Sequence, residues 1–115
     1  MSDQFRCLDT GTPMSVRRDH FRRIVSVDQC PDLSWIDDET RLADYDADGW
    51  HMIGIKAAAT FLIPLNGHRV IQTVETPGLW NIESDSDDAY LDAVYADECA
   101  ELAAMLNVLG VSVTA

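Results

Sequence analysis

Basic residues are scarce in this chain. Eight Lys and Arg stand against twenty Asp and Glu, for a formal net charge of −12 over 115 residues. Such an excess repels nucleic acid and anionic membranes, so neither is an expected direct partner. It favours cationic partners: basic proteins, metal ions, or a basic groove that ordinarily holds nucleic acid. Cysteine is equally sparse. Cys7, Cys30 and Cys99 are far apart and odd in number, with no Cys-x-x-Cys pair. Neither a zinc site nor a disulfide framework is indicated, and isolated thiols fit a reducing cytoplasm. The six glycines are dispersed and form no phosphate-cradling loop. No apolar run approaches the about 20 residues of a membrane-spanning helix, and the N-terminus lacks an apolar stretch of signal-peptide length. The expectation is a cytoplasmic protein. No set of nucleophile, base and orienting group can be assembled, so the chain is expected to be neither an enzyme nor a cofactor binder.

What is present describes a folded domain. Apolar residues make up 47% and charged residues 24%, enough for one core in a chain of one-domain length. The charge is uneven. Arg6, Arg17, Arg18, Arg22 and Arg23 precede residue 24. From there to the end seventeen acids face only Arg41, Lys56 and Arg69, a net −14. Residues 1–15 mix Gly, Pro, Ser, Thr and Asp without periodicity and read as an irregular arm before a domain spanning 16–115.

The periodicity predicts an α+β fold. Residues 21–27, FRRIVSV, alternate as a strand. Residues 31–36, PDLSWI, read as a turn leading into a short helical turn, and 37–48, DDETRLADYDAD, as an acidic connector. Residues 51–63 and 68–75 flank Asn66-Gly67, a strong hairpin signal because both central residues of a type I′ turn need positive φ. Pro77-Gly78 marks a second turn before a short strand, 79–83. Residues 86–109 repeat apolar side chains at spacings of three and four: Tyr90, Leu91, Val94, Tyr95, Leu102, Met105, Leu106 and Leu109. Ser84 or Ser86 can cap this helix and Gly110 can end it. Asp88, Asp92, Asp97, Glu98 and Glu101 are left for its solvent side. The tail, residues 111–113, adds a short edge strand. The expected architecture is an antiparallel sheet of about four strands, a meander, with the C-terminal helix on one face.

The segment from Gly78 to Leu91, GLWNIESDSDDAYL, resembles a motif of small proteins of phages and bacterial mobile elements, in which GLW-x-IESDSD…YL precedes a C-terminal helix. The upstream Pro31-Asp32-Leu33-Ser34-Trp35 and Ile53-Gly54-Ile55-Lys56-Ala57 look like the other signposts of that group. The resemblance covers residues 31–110. It implies a phage or mobile-element accessory protein. In that setting, acidity implies an anti-defence role such as that of an anti-CRISPR.

Several residue groups invite a chemical reading. Residues 83–88, ESDSDD, place four acids in six positions. They read as a capped strand-to-helix junction or as a carboxylate cluster that binds a cation or imitates phosphates. Residues 44–49, DYDADG, match the first half of a calcium loop, but Ile55 stands where the closing Glu belongs, leaving at most a looser cation site. His51 and His68 could approach across the hairpin and recruit Cys99. Trp80 is expected in the core, whereas Trp35 and Trp50 could serve either core or interface. The paired arginines, Arg17-Arg18 and Arg22-Arg23, read as internal neutralisation or one side of a self-association contact.

The leading expectation is an acidic inhibitor that occupies the basic nucleic-acid groove of a host protein, such as a CRISPR effector or restriction enzyme. Asp85, Asp87, Asp88, Asp92, Glu98 and Glu101 would replace phosphate oxygens, whereas under the adaptor alternative an apolar patch around Trp35 or Trp50 would bind the partner. The alternatives are a non-enzymatic protein–protein adaptor or virion accessory protein, and a small metal-binding domain. A homodimer through an edge strand is compatible with the pattern.

Overall fold

The computed structural model describes residues 14–115, so the arm expected over residues 1–13 lies outside the described part. Met14 and Ser15 are not arm: Met14 is buried in the core and Ser15 opens a strand. The elements are β1 (Ser15–Arg17), a 3-10 turn (Arg18–His20), β2 (Arg22–Val27), α1 (Glu39–Asp46), β3 (Met52–Leu65), β4 (His68–Glu75), β5 (Leu79–Glu83), α2 (Asp88–Val108) and β6 (Ser112–Thr114). Among the described residues no helix is long and apolar enough to cross a membrane.

β3 organises the molecule. Its fourteen residues pair antiparallel with β2 on one side and with β4 and β5 on the other. Asn66 and Gly67 turn the β3–β4 hairpin at φ 52° and 79°, as the type I′ signal requires. The fold class is therefore α+β: a four-stranded antiparallel sheet with α2 packed against β3. It is not a meander. β5 does not reverse to pair with β4; it continues along the same edge of β3, so β4 and β5 form one interrupted lane. The reason lies at residues 76–78. Thr76 N–H donates to Ala57 O at 2.9 Å and keeps the ladder running. Gly78 is the only residue of the Thr76–Gly78 step at positive φ, 88°, which makes a jog rather than a hairpin.

Register divides the sheet into two faces, because opposed residues of an antiparallel pair point the same way. Ala57, Ala59, Phe61 and Ile63 point towards α2, where Leu102 and Leu106 meet Phe21, Val16 and Val111. Ile53, Ile55 and Ile82 continue this layer against Val94. Three successive alanines at 57–59 have no exposed surface. The small side chains of Ala57 and Ala59, on the helix side, let α2 sit close to the strand. The start of the other face is covered by a further cluster, in which Met52 and Trp50 pack with Ile36, Leu33, Leu42 and Tyr45.

α1 occupies the stretch read as a connector. Asp38 caps it, accepting from Thr40 N–H at 2.9 Å and Arg41 N–H at 3.3 Å. Leu42 and Tyr45, three residues apart on one face, dock on Trp50 and Met52. The surrounding acids mask this short apolar pair in the sequence. Residues 33–36 make the expected turn, closed by Ile36 N–H to Leu33 O at 3.1 Å. β6 is an added strand as expected, but it pairs parallel with β1 in a separate two-stranded sheet.

Candidate functional site

The acidic junction between β5 and α2 is built first by local hydrogen bonds. Ser84 exchanges two bonds with His51, its N–H donating to His51 O and its Oγ accepting from His51 N–H, both at 2.8 Å. Ser86 Oγ donates to Glu83 O at 2.7 Å. Asp87 is the cap of α2 and accepts from Tyr90 N–H at 2.8 Å. The junction is thus a well-formed helix start in which Asp87, rather than Ser84 or Ser86, satisfies an orphan amide of the first turn, while the two serines tie the junction to His51 and Glu83.

Arg41, on α1, then takes up two of the remaining carboxylates. Its guanidinium donates to both oxygens of Asp85 at 2.7 Å and lies 3.3 Å from Glu83. It also stacks 3.7 Å from the Trp50 ring centroid, while Trp50 Nε1–H donates to the Arg41 carbonyl at 2.9 Å. The fork-to-fork geometry is the strong form of the ion pair. It holds the Asp85 carboxyl below its ordinary value and the Arg41 guanidinium above its own, in both cases chiefly through the Asp85–Arg41 hydrogen bonds. Sequence reasoning missed Arg41. The signal available was its isolation: it is the only base between residues 24 and 55.

The expected partner-binding acids consequently divide. Asp85 is bound to Arg41 and Asp87 caps the helix. Asp92 pairs with Arg23 at 2.9 Å, and Arg23 also lies 4.5 Å from the Tyr95 ring centroid. Asp88 and Glu101 are exposed and make no ion pair among the described residues. Glu98 corrects the expectation of a solvent-facing acid. It is buried, accepting the Thr76 hydroxyl at 2.7 Å, while Thr76 Oγ1 accepts Ala57 N–H at 3.0 Å. The five-residue step from Asp92 to Asp97 moves the polar stripe off the outer face, so Glu98 follows Val94 inward at a spacing of four.

The tryptophans also sort themselves. Trp50 is 2% exposed and is a core residue, not a surface anchor. Trp80, expected inside, is 38% exposed and lies flat over Gly54: a Cβ there would stand 2.3 Å from Trp80 Cε3. Its Nε1–H donates to Pro77 O at 2.9 Å, and Lys56 Nζ sits 5.7 Å from its ring centroid. The motif residues Gly54, Lys56, Gly78 and Trp80 therefore meet in space as one packing unit. Trp35 is 50% exposed.

Trp35 lines an open groove of about 460 Å³ with Tyr90, Asn81, Glu83, Ser86 and Asp87. Two half-exposed aromatics and two carboxylates thus border one concavity between the residue 33–36 turn, β5 and the start of α2. Aromatic faces beside carboxylates suit an ammonium or guanidinium group. Asn81 reaches this rim at φ 64°, at the irregular register between Ile53 and Ile55.

Further acids on and beside α1, namely Asp37, Glu39, Asp44, Asp46 and Asp48, are exposed and pair with no base among the described residues. Residues 44–49 are not a calcium loop. Asp44 and Asp46 lie in the last turn of α1, and Asp48 (φ 62°) and Gly49 end it through Gly49 N–H to Asp44 O at 2.7 Å. His51 and His68 flank opposite ends of β3 and do not meet. Among the described residues no three His, Cys, Asp or Glu side chains gather as a metal site. Compared with protein-family models, with characterised proteins and with solved structures, the chain matches none of them.

Proposed function

We propose that this chain is a non-catalytic protein-binding module that holds a basic segment of its partner in the groove between Trp35 and Tyr90. The observation that carries this reading is the groove itself: two half-exposed aromatic side chains with Glu83 and Asp87 on its border. An inserted Arg or Lys would stack on an aromatic face and meet a carboxylate, the combination that makes hot spots. The surplus of negative charge would speed the encounter without having to be consumed in the contact. The resemblance of residues 78–91 to phage and mobile-element proteins suggests that the partner is a host protein.

The test is calorimetric titration with an arginine-rich peptide and with an uncharged peptide of the same length. Only the basic peptide should bind. Trp35→Ala or Tyr90→Ala should weaken it by about 2 kcal/mol, roughly thirtyfold, with an unchanged melting temperature. Binding that ignores both substitutions would end this reading.

A specific observation favours a second reading, the acidic inhibitor of a nucleic-acid groove. Asp37, Glu39, Asp44, Asp46 and Asp48, on and beside α1, are exposed, pair with no base among the described residues and do not line the aromatic groove. On this reading charge reversal at Glu39, Asp44 and Asp46 abolishes capture of a nucleic-acid-binding host protein, duplex DNA competes for it, and Trp35→Ala has no effect.

A further inference from the structure

The outer side of β4 is open. β4 pairs with β3 along one side and, among the described residues, with no strand along the other, because β5 adds to β3 instead. All of β4 but Val74 is exposed. An open strand side offers unpaired N–H and C=O groups, and proteins blunt it with proline, lysine, a bulge or a very short strand. β4 has none of these: it runs eight residues in regular register without Pro or Lys.

Its sequence is complementary to itself when reversed. With two copies of β4 antiparallel and centred on Gln72, Arg69 of one copy falls opposite Glu75 of the other. Val70 then falls opposite Val74, and Ile71 opposite Thr73. The faces agree as well. Arg69 and Glu75 lie opposite Pro64 and Ala58 on β3, positions of equal parity and hence on one face of the sheet. A slip of one residue would turn every side chain to the wrong face. A slip of two would set Arg69 against Thr73 or Glu75 against Ile71, losing both charge pairs. Arg69 makes no ion pair within the described chain, and Glu75 has only Lys56 at 3.7 Å. Residues 57–74 contain no acid at all, in a chain with twenty. Repulsion between the two copies is therefore low along this strand. Next to this side lie Leu62 and Ile71, cross-strand partners that are 47% and 70% exposed.

We propose that β4 is where this chain binds a second copy of itself. The two strands join antiparallel about Gln72, making the two four-stranded sheets one continuous sheet with a symmetric interface. The strand side is only about 24 Å long and one strand wide, so it buries less area than the about 800 Å² per partner of a typical stable interface. The dimer therefore dissociates on dilution.

Sedimentation velocity over a dilution series tests this with the full chain. The mass should fall from twice 12.8 kDa to 12.8 kDa on dilution. Arg69→Glu and Glu75→Arg each set like charges opposite one another twice per dimer, and each should raise the dissociation constant roughly tenfold or more. Mixing the two variants restores opposite charges at both positions and should give a heterodimer. The double variant Arg69→Glu/Glu75→Arg should regain self-association. Thermal melting confirms that each variant is folded. A wild-type chain that stays monomeric up to its solubility limit overturns the proposal. So does association that neither single variant weakens, or a double variant no stronger than the single ones.

Discussion

Arg41 holds three parts of the molecule together, with its stem on α1, its guanidinium over Trp50 and its donors on Asp85 and Glu83. Its bond to Asp85 makes stability depend on pH in a definite direction. The carboxyl of Asp85 is lowered in the folded chain from an ordinary 3.8. The pair's contribution is therefore complete above that ordinary value and disappears as pH falls through the lower folded one. Asp85→Asn should lower the melting temperature at neutral pH, and the difference from wild type should close on acidification below pH 3.8. Melting curves from neutral to acid pH check this; a gap that persists in acid would show that the carboxylate charge is not what Arg41 uses. Thr76 and Glu98 show the opposite placement. There a carboxyl is taken into the core because the Thr76 hydroxyl donates to it, and that hydroxyl is in turn fixed by accepting the Ala57 strand amide.

Elements meet where small residues permit it. Gly54 on β3 lets the Trp80 ring lie against the strand backbone, and Gly78, at φ 88°, places β5 so that Trp80 reaches it. Gly54→Ala puts a methyl group 2.3 Å from Trp80 Cε3. The ring is tethered to Pro77 O, so it cannot simply tilt away. We expect a loss of about 1–3 kcal/mol, the usual range for overpacking, with the Trp80 emission shifted to the red as the ring is driven into water. Chemical denaturation and fluorescence together measure this. A variant of wild-type stability and unchanged emission would mean that β5 yields at no cost.

Across the whole molecule, like charge opposes compaction. Twelve excess negative charges remain, and the described ion pairs Arg17–Asp19, Arg23–Asp92, Arg41–Asp85 and Lys56–Glu75 absorb half of the eight Lys and Arg side chains. The acids left over on α1 and on the outside of α2 repel one another through solvent. Screening should therefore stabilise the fold: raising salt from a few millimolar to about 0.15 M, where the Debye length is about 8 Å, should raise the melting temperature. A fall would show that the four ion pairs outweigh the repulsion.

Local sequence settled what short-range chemistry governs. Asn66-Gly67 specified the hairpin, the three-and-four spacing from Tyr90 to Leu106 specified α2, the β-branched runs specified β2 and β3, and the Pro77-Gly78 turn marked the start of β5. The excess of acid was also plain. Tertiary structure alone decided where each acid is used, because an Asp reads the same whether it caps a helix, pairs with an arginine or faces water. It put Asp85 on an arginine 44 residues away, turned Glu98 inward, set Trp80 outside and Trp50 inside, and brought Trp35 and Tyr90 to one groove. It also laid β4 and β5 along one edge of β3, since strand order depends on which hydrogen-bonding edge is free. Such contacts join residues far apart in the chain, where no periodicity records them.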